Sequence, residues 1–322
     1  MPTTNEQATW FADAFGKLVD NIDQAIVGKK HQIRLVLTAM LSEGHVLLED
    51  VPGTGKTVLA KALANTLDGT HSRIQFTPDL LPSDVTGVTI YDQGKGGFEF
   101  HPGPIFASVV LADEINRASP KTQSALLEVM EEGVVTIDGV GHSVGRPFMV
   151  IATQNPVEQA GTYKLPEAQL DRFLIKTSLG YPDFETSVAL MLDSANRARA
   201  SGITPIIKSE SIVTMAGLAA DVFVDPTIME YIIRIVIATR SDKDVALGVS
   251  MRGALGMARA VRTWAIASGR SYVTPDDVRD LAIPVLAHRV IIDAESDFTG
   301  VKAEDVIERV LLDTAPPAYR AA

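Results

Sequence analysis

Asp50-Val51-Pro52-Gly53-Thr54-Gly55-Lys56-Thr57 is the stretch on which the fold turns. Just before it, His45–Glu49 is a short apolar run that reads as a buried strand. Just after it, Lys56–Leu67 carries Val58, Leu59, Ala62 and Leu63 at helical spacing. A strand, a glycine-rich loop and a helix in that order build a phosphate cradle. The glycines let successive backbone N–H groups converge on phosphate oxygens, and the helix start adds its positive dipole end. On this reading Val51, Pro52, Gly53, Thr54 and Gly55 wrap the phosphates of ATP. Lys56 reaches the β- and γ-phosphates, the Thr57 hydroxyl holds Mg²⁺, and the Val58 amide faces the α-phosphate. The stretch departs from the GxxxxGK[ST] pattern at one place, where Asp50 stands for the first glycine.

Working outward, Ser108–Ala112 is a second apolar run, and it ends on Asp113–Glu114. Downstream of a phosphate loop, an acidic pair at a strand's carboxyl end is placed for phosphoryl chemistry. Asp113 is the candidate for the Mg²⁺ shell and Glu114 for polarising the attacking water. Phe148–Thr153 is a third buried-strand candidate, followed by Gln154–Asn155. Asn155 has two readings: it holds the water or senses the γ-phosphate, or it opens a turn before Pro156. Arg172, in Leu170–Phe173, offers a cation to a neighbouring subunit's phosphate or forms a surface ion pair with Asp171 or Glu167. Arg252 opens a helix and either reaches a phosphate or stays solvated.

Residues 5–20, with Phe11, Phe15, Leu18 and Val19, predict an amphipathic lead helix, and Ile33–Leu41 a second. Thr122–Glu132 is helical in pattern, and Val134–Asp138 with His142–Val144 flank Gly139–Gly141 as a hairpin. Alternating strands and helices imply a parallel α/β sheet. Beyond Tyr181–Asp183 the patterns turn helical: Glu185–Arg199, Ser209–Ala220, Pro226–Arg240, Arg252–Ala267, Pro275–His288 and Ala303–Leu312. The expectation is an α/β phosphate-loop core over residues 1–181, with a parallel sheet flanked by helices, and a small all-α lid over 182–322.

Bulk properties narrow the function classes. The 322 residues are 46% hydrophobic and 21% charged, the profile of a globular chain. The net charge of −11 opposes nucleic-acid binding except through a local basic patch. With no cysteine, disulfides, thiolate nucleophiles and Cys-ligated metals are excluded. Neither a secretory leader nor about 18 unbroken apolar residues is present, so a cytoplasmic protein without membrane insertion is expected.

These elements, in this order, resemble the AAA+ ATPases, and most closely the MoxR family. The resemblance is carried by Leu48–Thr57, Arg73–Gly87 (RIQFTPDLLPSDVTG), Gly103–Ala118 (GPIFASVVLADEINRA), Gln123–Val134 (QSALLEVMEEGV), Val150–Pro156 (VIATQNP) and Leu165–Phe173 (LPEAQLDRF). Val249–Arg252 and Tyr272–Val278 extend it into the second half. The resemblance implies that Ile26, Val27 and Gly28 contact adenine, that Asn155 is sensor 1, Arg172 an arginine finger given in trans and Arg252 sensor 2. It implies further a homo-oligomer, a hexameric ring, acting as a chaperone-like motor with a von Willebrand A domain partner. Residues from about Thr77 to His101 would be an insertion in the second core helix.

Two rivals share the motor. A DNA-handling motor should show basic side chains on its insertions. Here Thr77–His101 carries Asp79, Asp84, Asp92 and Glu99 against Lys95, and the hairpin region Glu131, Glu132 and Asp138 against Arg146. That balance favours a protein partner and no nucleic acid. A chelatase-like metal-insertion subunit would change only the client.

Overall fold

The computed structural model describes residues 3–155, 163, 165–192 and 202–317. In chain order the elements begin with α1 (Asn5–Asp23), α2 (Lys30–Leu41), β1 (Val46–Glu49), α3 (Lys56–Thr66), β2 (His71–Gln75), α4 (Pro82–Thr86), β3 (Gly87–Asp92) and β4 (Gly97–Pro102). There follow β5 (Val109–Asp113), α5 (Pro120–Glu132), β6 (Val134–Ile137), β7 (Val140–Ser143), β8 (Met149–Gln154), α6 (Glu167–Leu170), β9 (Ile175–Thr177) and α7 (Phe184–Leu192). The chain continues through α8 (Ser209–Ala220), α9 (Pro226–Ser241), β10 (Val245–Leu247), α10 (Met251–Ala267), α11 (Pro275–Leu286), β11 (Ile291–Ile292), α12 (Ala294–Phe298) and α13 (Ala303–Asp313). The expected helix Glu185–Arg199 is present as far as Leu192. Its residues 193–199 lie outside the described residues, as does Pro156.

Contacts cluster the chain into two compact units: residues 18–165 with 177–213, and residues 1–17 with 166–176 and 214–322. The boundary at 181/182 marks a change in element type, whereas these clusters follow contact and run back and forth along the chain.

The first unit holds the strand order β2-β5-β8-β1, with β2/β5, β5/β8 and β1/β8 all parallel. Val46–Leu48, Val109–Ala112 and Met149–Ala152 are at most 1% exposed. Runs this apolar cannot present one face to water, so both faces of the sheet are covered. Leu59 and Leu63 of α3 are fully buried, as are Leu126 and Leu127 of α5. The register pairs Gln75 with Asp113 and Glu49 with Gln154, so the carboxyl ends of β2, β5, β8 and β1 lie level. Open parallel sheets bind ligands at that edge.

Three strands in this unit escape pattern reading. In β2 only Ile74 is buried, and β3 pairs with β4 as an exposed hairpin. The expected hairpin near Gly139 forms as β6 and β7, but the turn is the pair Asp138–Gly139, both at positive φ, and Val140 and Gly141 belong to the strand.

The second unit is mainly helical. Tyr231, Ile235, Met257, Val261, Leu281, Val285, Val306 and Ile307 from α9, α10, α11 and α13 are fully buried or nearly so. Helix starts are marked by side chains: Asp225 caps α9 ahead of Pro226, and Ser250 caps α10. A short β10/β11 pairing, which the helical patterns do not announce, sits among them. Among the described residues no helix is long and apolar enough to cross a membrane.

Candidate functional site

The phosphate loop runs from the end of β1 into α3. Gly53 and Gly55 stand at φ +87° and +97°, where a side chain would be strained, and a Cβ added at Gly53 would meet nothing within 4 Å. Gly55 is the N-cap of α3, and no side chain caps that helix. The first-turn amides of an eleven-residue helix therefore lack a side-chain acceptor at the mouth of the loop, which suits an anion. Lys56 folds back over this mouth, with Nζ donating to the carbonyls of Asp50 (3.0 Å) and Val51 (3.1 Å). Thr57 is exposed and Thr54 buried. Uncapped amides, an adjacent ammonium and an exposed hydroxyl fit a polyphosphate carrying a divalent cation.

Asp50 has a role of its own. The residue is 4% exposed, and its carboxylate accepts the backbone N–H groups of Leu179 (2.5 Å) and Gly180 (3.0 Å). It staples the start of the phosphate loop to the chain that leads into α7. On the same side, Lys29 Nζ donates to the carbonyl of Tyr181 (2.9 Å). The Ile26 side chain lies beneath the loop, its Cδ1 3.2 Å from where a Gly55 Cβ would stand. Val27 is 40% exposed beside it, and Gly28 at φ +79° lies against Thr186 of α7. The structure thus brings residues 26–28 to the flank of the phosphate loop.

Asp113 ends β5, and Thr153 of β8 joins it to Glu114. The Thr153 hydroxyl donates to Asp113 Oδ1 (2.6 Å) and accepts the Glu114 N–H (2.8 Å). Glu114 stands at φ 55°, ψ 49°, a left-handed conformation that costs a non-glycine residue roughly 1–2 kcal/mol. The Thr153 bond holds it there, as strained residues at functional sites require of their surroundings. Arg73 Nη2 lies 2.6 Å from Asp113 Oδ2 and also donates to Gln75 Oε1 (2.9 Å). Glu114 Oε2 accepts from Gln75 Nε2 (3.0 Å) and Arg117 Nη1 (2.8 Å). Asn155 is half-buried at the end of β8, one strand from the acidic pair.

Motif reading passes over Arg73, Gln75 and Thr153. The signal for the first two is their i, i+2 spacing, which puts both on one face of a strand. For Thr153 it is a lone hydroxyl in an apolar run.

Arg172 and Arg252 belong to the other unit. Arg172 follows α6 and is half-buried, and Arg252 is exposed in the first turn of α10, two residues after the Ser250 cap.

A phosphate loop, an acidic pair and a polar strand end, all at the carboxyl edge of a parallel sheet, define a P-loop nucleotide-binding core joined to a helical lid. Residues 45–175 match the ATPase family associated with various cellular activities (AAA), and residues 237–310 match the AAA lid domain. The chain belongs to the MoxR family of AAA+ ATPases. It is similar to the uncharacterized protein YeaC of Bacillus subtilis, 48% identical over 95% of this chain and 96% of that one. It is 41% identical to the chaperone MoxR1 of Mycobacterium tuberculosis over 95% of this chain and 83% of that one. A crystal structure of a Cytophaga hutchinsonii protein superposes with a TM-score of 0.89 at 38% identity, covering 96% of each chain.

Proposed function

We propose that this protein binds Mg-ATP at Val51–Val58, hydrolyses it, and uses the turnover to remodel a partner protein in a chaperone-like manner. The observation that carries this reading is the convergence of the uncapped α3 start and Lys56 with Asp113, Glu114 and Asn155 at one edge of the sheet.

Each residue then has a task. The loop amides and Lys56 bind the phosphates, and residues 26–28 contact adenine. Thr57 and Asp113 would hold Mg²⁺, which neutralises charge on the β- and γ-phosphates. Glu114 accepts the proton of the attacking water, with Gln75 and Arg117 fixing its carboxylate. Asn155 orients that water. Arg172 from a neighbouring subunit and Arg252 from the lid stabilise charge on the γ-phosphoryl group as its bond to the leaving oxygen lengthens.

The sharing of Arg172 calls for a ring, and a hexamer with a von Willebrand A domain partner in the cytoplasm completes the reading. A protein client is supported by the β3–β4 hairpin, where Ile90, Tyr91 and Phe98 are 49%, 53% and 78% exposed. An apolar, acidic projection suits a protein surface better than a phosphate backbone. The chaperone name of the Mycobacterium relative supports the same direction.

The test is Mg-ATP turnover per subunit across a range of protein concentrations, with ring size followed in parallel. The expected rate climbs steeply as the ring assembles and then saturates. No phosphate release would overturn hydrolysis. Full turnover by dissociated subunits would overturn the shared site.

A further inference from the structure

Arg289 lies just beyond α11, its side chain 3% exposed. Its guanidinium binds the main chain on both sides of Arg172. Nε donates to Asp171 Oδ1 (2.7 Å), and Nη2 donates to the carbonyls of Asp171 (3.1 Å) and Phe173 (2.6 Å). Nη1 donates to the carbonyls of Leu174 (3.4 Å) and Val285. The neighbouring His288 adds Nε2 to the Phe173 carbonyl at 3.0 Å.

The same ion pair reaches Arg252. Asp171 Oδ2 accepts the hydroxyl of Ser250 (2.8 Å), and that hydroxyl also caps α10 by accepting the Gly253 N–H (3.3 Å). The helix start rests directly on the guanidinium. A Cβ at Gly253 would lie 2.7 Å from Arg289 Cδ and 2.6 Å from Val249 Cγ1, and one at Gly256 would lie 3.1 Å from Leu174 Cδ1. Only glycine at 253 allows this approach without a shift. Arg252 stands between the cap and that glycine.

A buried ion pair is weak evidence for stability, because apolar residues of similar volume often serve as well. What a planar fork supplies is geometry: several donors fixed at once, which an ammonium cannot reproduce. Here most of the fork is spent on the two residues that flank Arg172.

We propose that Arg289 is a positioning residue for ATP hydrolysis: through Asp171 and Ser250 it fixes, as one bracket, the chain that presents Arg172 and the helix start that presents Arg252. This rests on the roles given to those two arginines under Proposed function. Arg289 itself touches no phosphate and acts only through them. Burial pulls its guanidinium below the usual range while the bond and charge of Asp171 oppose that, and it stays protonated throughout.

The experiment is a mutant cycle on the assembled full chain, reading kcat and KM for Mg-ATP in the wild type, Arg289→Lys, the double variant Arg172→Ala/Arg252→Ala, and the triple variant. Arg289→Lys is expected to lower kcat by about 10- to 100-fold, the scale of a small misplacement, with KM moved less than about twofold. On the background lacking both arginines the same change should cost nothing further. Unchanged kcat in Arg289→Lys, or an equal loss on that background, overturns the proposal while the roles of Arg172 and Arg252 stand. An undiminished kcat in Arg172→Ala/Arg252→Ala overturns those roles and this proposal with them. Should Arg289→Lys lose its cooperative melting, Ser250→Ala enters the same cycle, since it spares the ion pair and removes only the hydroxyl link. Its kcat should fall by roughly threefold to tenfold, the worth of about one hydrogen bond, and only when Arg252 is present; a fall that persists without Arg252 overturns the link.

Discussion

The phosphate loop and the Arg289 bracket solve opposite problems. The loop turns main-chain donors outward toward a ligand, with glycines at 53 and 55 and no side-chain cap on α3. The bracket turns a side-chain donor inward, onto main-chain acceptors at 171, 173, 174 and 285. The first needs a few residues of defined type within eight consecutive positions and so reads as a motif. The second gathers three stretches from along the chain, and its partners, the Asp171 carboxylate apart, are carbonyls that every residue possesses. Recognition built from the main chain outward can be read in a sequence; recognition of the main chain by a buried side chain must be seen in the fold.

Perturbing the loop side should have the larger consequences. Glu114→Gln keeps the shape and loses the base, so turnover should fall by about 10²- to 10⁴-fold while ATP affinity measured by calorimetry is retained. Near-normal turnover would remove Glu114 from the chemistry. Lys56→Ala should weaken ATP by on the order of 100-fold, the worth of one or two charge-assisted bonds. Unchanged affinity would reduce Lys56 to the loop-bracing bonds it makes with Asp50 and Val51.

Asp50→Gly sharpens the comparison, because it restores the motif and deletes a staple. A buried amide and a part-buried one lose a charged acceptor, at a cost of about 3 kcal/mol, or roughly 6–12 °C in melting midpoint for a unit of this size. ATP affinity should change far less. The reverse pattern, with an intact midpoint and lost affinity, would make Asp50 part of the phosphate site.

The smallest effect belongs to the bracket. Burial holds the His288 imidazole well below its usual range, the neighbouring charges of Arg289 and Lys176 push the same way, and the hydrogen bond to the Phe173 carbonyl opposes them. The folded state therefore keeps His288 neutral where the unfolded chain takes up a proton. Its contribution is fully present above about pH 6.5 and is lost as pH falls, by at most about 1.4 kcal/mol per unit. Burial also lowers His71, so the readout is the difference between the wild type and His288→Gln. Parallel stability curves from pH 7.5 to 5 would show that folding leaves the His288 imidazole unshifted.

The helical half and the strand-loop-helix core were legible because apolar periodicity and punctuation are local. His71–Gln75 was not: it is a polar strand with one buried residue, recognisable only by its pairing with β5. With it went Arg73 and Gln75, which address the acidic pair from the neighbouring strand. The pairing of β10 with β11 was hidden for the same reason, since three residues and two residues make no pattern. Asp50 looked like a flaw in a motif because its partners lie 129 and 130 positions away. The roles proposed for Arg172 and Arg252 came from resemblance, whereas the side chains proposed to position them came from no pattern at all.

The Asp50 staple carries a consequence for how this protein tolerates variation. A carboxylate that grips two amides is indifferent to what hangs from them, so it adds no side-chain demand to those the fold already makes: an apolar residue at 179, where Leu179 is 1% exposed, and glycine at 180, which stands at φ +62°. Proline is the exception, because it has no N–H to offer. The staple's own constraint therefore falls on Asp50: a library randomised at 50, 179 and 180 should return carboxylates at the first position, apolar residues at the second, glycine with some asparagine at the third, and no proline.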